Sequence, residues 1–398
     1  MIRTLMTGTL WAPVLALAAA ALRLWVDRRS QGRLSAMLPL FMVMPLAYAV
    51  ERPLALSAVE GVLLAGLVVA ILARDRRDLL QSECALKLAW VLGGSLALSL
   101  AGGELLAFVT GSRINAEQWA VLALGVVPTD LWNVALPLSL LAGLVMLGGA
   151  PFHFWPADLF QGGRTWAAPL AAAAIQIAGA AWLMHRLDGI GSLPGGRAAT
   201  GGLLSVACGV ALLVGAATLV QQRRPERRVG TLASLQGALA LAMLIASSAD
   251  PPAQWLERWA AHLALALTSA ALLARFLPVA GDRIGRAGVL FSRHPLTGLA
   301  GLIGYFSLAG VPGTPGGWLW LETARALAAS RHFGLLALLA LAWVVAFSAA
   351  MRQWREAAGV PGEPLPEGSQ VPWQARIALW LAGPGVLALG LAWLFGGP

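Results

Sequence analysis

The sequence predicts an all-α polytopic membrane protein of about 12–14 transmembrane helices, built as two inverted repeats that each hold a discontinuous helix. Three observations predict it. Hydrophobic residues make up 58% of the chain and charged residues only 12%, against about 25% charged in a soluble globular protein; the mean hydropathy is +0.73. Apolar runs of ~20 residues, long enough to cross hydrocarbon, recur from end to end. Two Pro- and Gly-rich stretches, 148–163 and 310–317, interrupt these runs, one in each half. Paired interruptions of this kind point to an inverted repeat with its functional centres at the breaks.

Taken in order, the candidate spans are 6–25, 35–50, 54–73, 84–101, 104–125, 131–149, 168–186, 201–221, 230–248, 257–277, 296–312, 316–332, 334–350 and 375–395. The first is expected to be an uncleaved helix, because Arg23 directly follows its small-residue end and further spans come after it. The division expected is 1–83 for N-terminal helices, 84–221 and 222–350 for the two repeats, and 351–398 for a Pro-rich connector and last helix. Of 28 basic side chains only Lys87 is lysine. The arginines cluster at Arg23–Arg33, Arg74–Arg77, Arg223–Arg228 and Arg275–Arg293, so the net charge of +9 is a topological signal that excludes a nucleic-acid surface. Five spans separate Arg74–Arg77 from Arg223–Arg228, which would put the two joints on opposite faces. Either 152–167 completes a broken helix, or 104–125 does not cross.

The chemistry concentrates in Gly149–Gly162. This polar stretch, bracketed by Pro151 and Pro156, lies in an otherwise apolar chain, and freed backbone at such a break needs protein or water around it. Ala150-Pro151-Phe152-His153-Phe154-Trp155, with Asp158 and Gln161-Gly162, is similar to the motif A-P-F-H-F-W-x-P-D-x-Y-Q-G, with the residue pair before Asp158 transposed. Leu308–Gly316, containing Pro312 and Pro315, is similar to L-A-G-I-P-P-T-A-G. Arg228 followed by Leu232–Leu235 stands where a basic residue precedes L-A-Y-S-S-I. On these motifs the chain resembles the antiporter-like membrane subunits of respiratory complex I and its hydrogenase and antiporter relatives, and is most similar to subunit N (subunit 2).

The resemblance implies a row of buried ionisable groups at the membrane midplane, in which protons move through lysines paired with a glutamate. A buried ammonium has its pKa pulled down, so one neighbouring charge decides whether it holds a proton; arginine does not deprotonate and cannot serve. Here the lysine positions fall at Met146, Gln176 and near Trp320. The glutamate position falls near Arg113, nine residues after Glu104. The histidine position falls near Gly237. The lysine relay is therefore absent from the expected places.

An alternative relay would use Glu104, His153, Gln176, His262 and Glu322, since intramembrane ionisable groups are functional candidates. Each has a structural reading beside it. His153 either ties its ring to freed backbone or moves protons. Asp158 caps the next helical segment or binds an ion. Glu104 is expected at a solvated interface near Gly102-Gly103. Arg113 at midplane depth would cost about 3 kcal/mol, so it pairs with Glu104 or lies off centre. Glu322 and Arg325 neutralise each other on one helix face, and Gln176 and Gln236 hydrogen-bond between helices or line a water path.

Cys84 and Cys208 have no metal-ligand spacing. With no cysteine cluster for iron–sulfur ligation and no glycine-rich dinucleotide fingerprint, no metal, cofactor or nucleotide is expected. The partners expected are lipid and other membrane subunits of a multisubunit complex, in a bacterial-type inner membrane. The function expected is that of a degenerate, mainly structural antiporter-like subunit. The alternatives are proton or cation translocation through the rewired Glu/His relay, and a stand-alone transporter or lipid-modifying enzyme.

Overall fold

In a computed structural model the described residues are 79–124, 129–149, 151–163, 167–187, 196–247, 253–275, 295–358 and 373–395. The spans expected at 6–25, 35–50 and 54–73, and the arginine joints before residue 79, lie outside them. The described residues form helices and connecting turns, with no strand. They are α1 Leu79–Thr110, α2 Asn115–Ala123, α3 Thr129–Met146, α4 Phe154–Gly162, α5 Ala167–Leu187, α6 Gly196–Gln221, α7 Pro225–Ala246, α8 Ala253–Arg275, α9 Pro295–Leu308, α10 Pro315–Ala329, α11 Phe333–Ala358 and α12 Trp373–Phe395. Six helices are long and apolar enough to cross a membrane: α1, α5, α6, α7, α11 and α12. The chain is a multi-pass, all-α membrane protein.

The expected spans 84–101 and 104–125 are one 32-residue helix, α1, followed by the nine-residue α2. Gly102-Gly103 does not break α1, because a tertiary contact uses it. A Cβ at Gly102 would stand 2.5 Å from the Ser139 amide of α3, so only glycine permits this approach. One turn earlier, the Ser99 hydroxyl donates to Leu138 O (2.9 Å) and accepts from Ala142 N (2.7 Å). It thus inserts into an i→i−4 pair of α3, and such an insertion bends a helix.

α2 stays at one end of the bundle. Asn115 Nδ2 donates to His185 O (2.8 Å) and Trp119 Nε1 to Arg186 O (3.2 Å), both at the C-terminus of α5. Removing the crossing at 104–125 leaves α1, the α3/α4 pair, α5 and α6, an even number. The start of α1 and the Arg223–Arg228 turn therefore share a face. The segment 152–167 does complete a broken helix, as α4, the second half of the crossing that α3 begins, and so adds no crossing of its own.

The expected spans 296–312 and 316–332 are likewise two halves of one crossing, α9 and α10. α1 packs along α3 as α8 packs along α9, and α1, α3/α4 and α5 run opposite in direction to α8, α9/α10 and α11. This is the inverted pair. Between the two sets, α7 runs through the middle with 94% of its apolar window buried, packed on α4, α6, α8 and α10. The expected division at 221/222 falls in the short turn between α6 and α7.

Candidate functional site: two capped helix breaks

Both helices break by the same backbone device. At the end of α3, Gly148 (φ +76°) takes the left-handed conformation; Gly148 N bonds to Val145 O and Gly149 N to Leu144 O, each at 2.9 Å. At the end of α9, Gly310 (φ +71°) does the same, with Gly310 N to Ser307 O and Val311 N to Phe306 O, each at 3.0 Å. This pair of bonds with glycine at the left-handed position is a Schellman motif. The glycines end the helices, and Pro151 and Pro312 follow after the chain has already turned. The sequence carries this signal as a glycine just past each apolar run, beside the more conspicuous prolines.

A helix that stops inside a bilayer leaves carbonyls that must find donors. At the first break Gln176 Nε2, fully buried on α5, donates to Leu147 O (3.2 Å) and across to Ala233 O of α7 (2.7 Å). Trp155 Nε1 donates back to Val145 O (2.8 Å). At the second, Gln236 Nε2, fully buried on α7, donates to Leu308 O (2.7 Å), and Trp343 Nε1 donates to Gly310 O (2.7 Å). Each break thus receives one glutamine amide and one indole. Trp259 Nε1 donates to Gln236 O (3.2 Å), which links α8 to the same row.

His262 lies on α8 and is fully buried. Its Nε2 is 2.9 Å from the Ser307 hydroxyl, which also accepts from Gly316 N (3.0 Å). One serine thereby joins α8, the last turn of α9 and the first turn of α10. α10 starts with Thr314, whose Oγ1 accepts from Gly317 N (3.2 Å), and with Pro315 in its first turn, where its missing N–H costs nothing.

His153 stands in the first break, and its backbone carbonyl accepts from Ser234 Oγ (3.0 Å). Its ring Nδ1 is buried and reaches no hydrogen-bond partner among the described residues. The ring also interacts with the Pro151 backbone at the break, while the serine contact holds the histidine's own carbonyl. Phe152 is partly buried against the core. The first helical residue after the break is Phe154, and its N-cap, His153, makes no side-chain cap bond.

Asp158 does not cap α4. It sits inside the helix, 3.0 Å from Arg227 Nη1 and 3.9 Å from Lys87 Nζ. It thus fastens the half-helix to α7 and α1. Glu104 and Arg113 pair at 2.9 Å, both well exposed. Arg113 lies beyond the end of α1 rather than at mid-span. Glu322 pairs with Arg258 of α8 (3.4 Å) rather than turning to Arg325 on its own helix, and Arg258 lies over the Trp393 ring. An acid on each second half-helix therefore meets a base on the helix before the break: Asp158 with Lys87, Glu322 with Arg258.

The structure brings Gln176, Gln236 and His262 together along one row through α7. It leaves Glu104 and Glu322 near the opposite, less arginine-rich face. At the former lysine positions, Met146 is buried and Trp320 is fully buried and stacked on Trp343 at 5.8 Å. Gly237, at the histidine position, has no room for a side chain, since a Cβ would collide with Leu147 O.

The fold is that of an all-α membrane protein with two inverted, glycine-terminated broken helices. No family model matches the chain, but individual proteins do. It is 27% identical over 267 residues to NADH-quinone oxidoreductase subunit N of Heliobacterium modesticaldum, covering 65% of this chain and 54% of that one. It is 29% identical over 368 residues to NADH-quinone oxidoreductase subunit N 2 of Acidobacterium capsulatum, covering 87% and 74%. The fold is shared with a chain of respiratory complex I from Thermus thermophilus (TM-score 0.77, 24% identity, 98% and 85% covered). It is also shared with a chain of the Mrp complex from Dietzia sp. (TM-score 0.78, 16% identity, 98% and 81% covered). The chain is thus similar in sequence to NADH-quinone oxidoreductase subunit N and in fold to chains of complex I and the Mrp complex. Its match to the first of these relatives spans about half of that protein's length.

Proposed function

We propose that the chain is a membrane subunit of a larger redox- or ion-coupled complex in a bacterial inner membrane, where it serves chiefly as scaffold. The observation that carries this reading is that the carbonyls freed at both breaks accept from neutral amides, Gln176 and Gln236. In a translocating row a titrating amine would stand in such places. An amide donates a hydrogen bond but neither gains nor loses a proton near neutral pH. The candidate replacement carboxylates, Glu104 and Glu322, are ion-paired away from the row.

One residue favours a second reading, a working proton path. His262 is titratable, fully enclosed, and placed beside the second break. The two readings separate in the intact complex by proton stoichiometry in sealed vesicles. With Glu104→Gln, Glu322→Gln and His262→Gln, the scaffold reading expects unchanged protons per turnover. A fall in stoichiometry in any of the three, with the complex still assembled, supports the relay.

A further inference from the structure

A polar cluster runs from the arginine-rich end of the bundle toward the last turn of α9. Arg228, in the first turn of α7, is 1% exposed. Its Nη2 donates to Glu356 Oε2 of α11, while Arg352 Nε donates to the other oxygen of the same carboxylate at 3.0 Å. One carboxylate answers two guanidinium groups, so the cluster keeps one positive charge. Arg228 Nε and Nη1 are enclosed and reach no acceptor among the described residues. Tyr305 of α9 is fully buried, its hydroxyl is likewise unpartnered, and it lies within the field of Arg228, Glu356 and Arg352.

A buried charge with idle N–H groups is costly unless an acceptor completes it. Unpartnered donors on two helices, α7 and α9, thus share one region with a third helix, α11, and with an uncancelled charge. We propose that Arg228, Tyr305 and Arg352 form a binding site for one small inorganic anion of the chloride type. Size decides the class. Arg228 is sealed from the surface, so a lipid phosphate or a partner's side chain cannot reach its idle nitrogens. Arg352 and Glu356, whose side chains are 36% and 28% exposed, form the surface side of the cluster, where a small anion would enter. The anion would neutralise the cluster and join α7, α9 and α11 where both repeats meet the arginine-rich face. This inference holds whether or not the chain moves protons.

The test uses the intact complex in lipid nanodiscs, with its thermal midpoint followed as chloride replaces gluconate at constant ionic strength. A ligand that binds only the folded state raises the midpoint in a saturable way. We expect such a rise with chloride and with bromide, and none with gluconate. Tyr305→Phe, which removes one donor, is expected to raise the half-saturating concentration about tenfold, and Arg228→Gln to abolish the response. Equal midpoints in chloride and gluconate would overturn the proposal. So would a chloride response with the same half-saturation in wild type and Tyr305→Phe, a comparison that stands even if Arg228→Gln fails to assemble.

Discussion

Gln176 and Gln236 are the residues whose chemistry the bilayer makes most consequential. Each puts an amide on a carbonyl that the end of a broken helix leaves open. Water is the donor of last resort in a soluble protein, and hydrocarbon supplies none. Gln176→Leu keeps volume and removes the donor, which leaves Leu147 O and Ala233 O without it. A loss of about 1–3 kcal/mol is expected, seen as a lower thermal midpoint of the protein in lipid, with Gln236→Leu similar. The same two positions separate scaffold from pump, because the amide meets the structural need and none of the titration. Gly237→His is expected to prevent assembly, since any side chain there meets the backbone of the first break; recovery of normal amounts of complex from that variant would contradict the packing described.

Between elements, the decisive contacts are those that let helices approach and then stop. Gly148 and Gly310 stop α3 and α9 with a positive φ that costs an L side chain roughly 1–2 kcal/mol. Gly148→Ala also sets a Cβ 3.2 Å from Ser234 Oγ, the group that holds His153 O. Its destabilisation is expected to exceed that of an alanine placed at Gly201, where a Cβ meets nothing. Comparing the two midpoints checks it. The Ser99 hydroxyl inserted into α3 is a second device. Ser99→Ala closes the opened turn, and faster hydrogen exchange at Ala142 in the wild type than in the variant is the expected sign.

Across the whole molecule, the two halves mirror each other in more than helix direction. Each break has a Schellman turn, a glutamine, a tryptophan indole, and an acid on the following half-helix held by a base on the preceding helix. α7 runs between them with almost its whole surface buried, so both breaks pack on one element. Asp158→Asn removes the charge that Arg227 and Lys87 share and leaves the α4 end held by Gln161 and the backbone carbonyl of residue 158 alone. It is expected to raise protease sensitivity near Gly162 while leaving Gln236 and the second break intact, which limited proteolysis with mass mapping would read.

How much of this the sequence carried depends on range. Composition and run length fixed the membrane class, because hydrocarbon tolerates few charges whatever the fold. The six-residue match from Ala150 to Trp155 located the first break. The absence of lysine at Met146, Gln176 and Trp320 was legible without coordinates, since it needs only residue identity and a motif. The number of crossings between residues 84 and 168 was not, because hydropathy cannot tell a glycine pair that breaks a helix from one that lets a neighbour in, as Gly102 does for Ser139. Nor could it place Asp158 against Arg227, Glu322 against Arg258, or two distant glutamines on two open carbonyls. The two glutamine bonds to open carbonyls join residues 29 and 72 positions apart. One-dimensional order holds the need of a broken helix for a donor; only folding in three dimensions decides which side chain meets it.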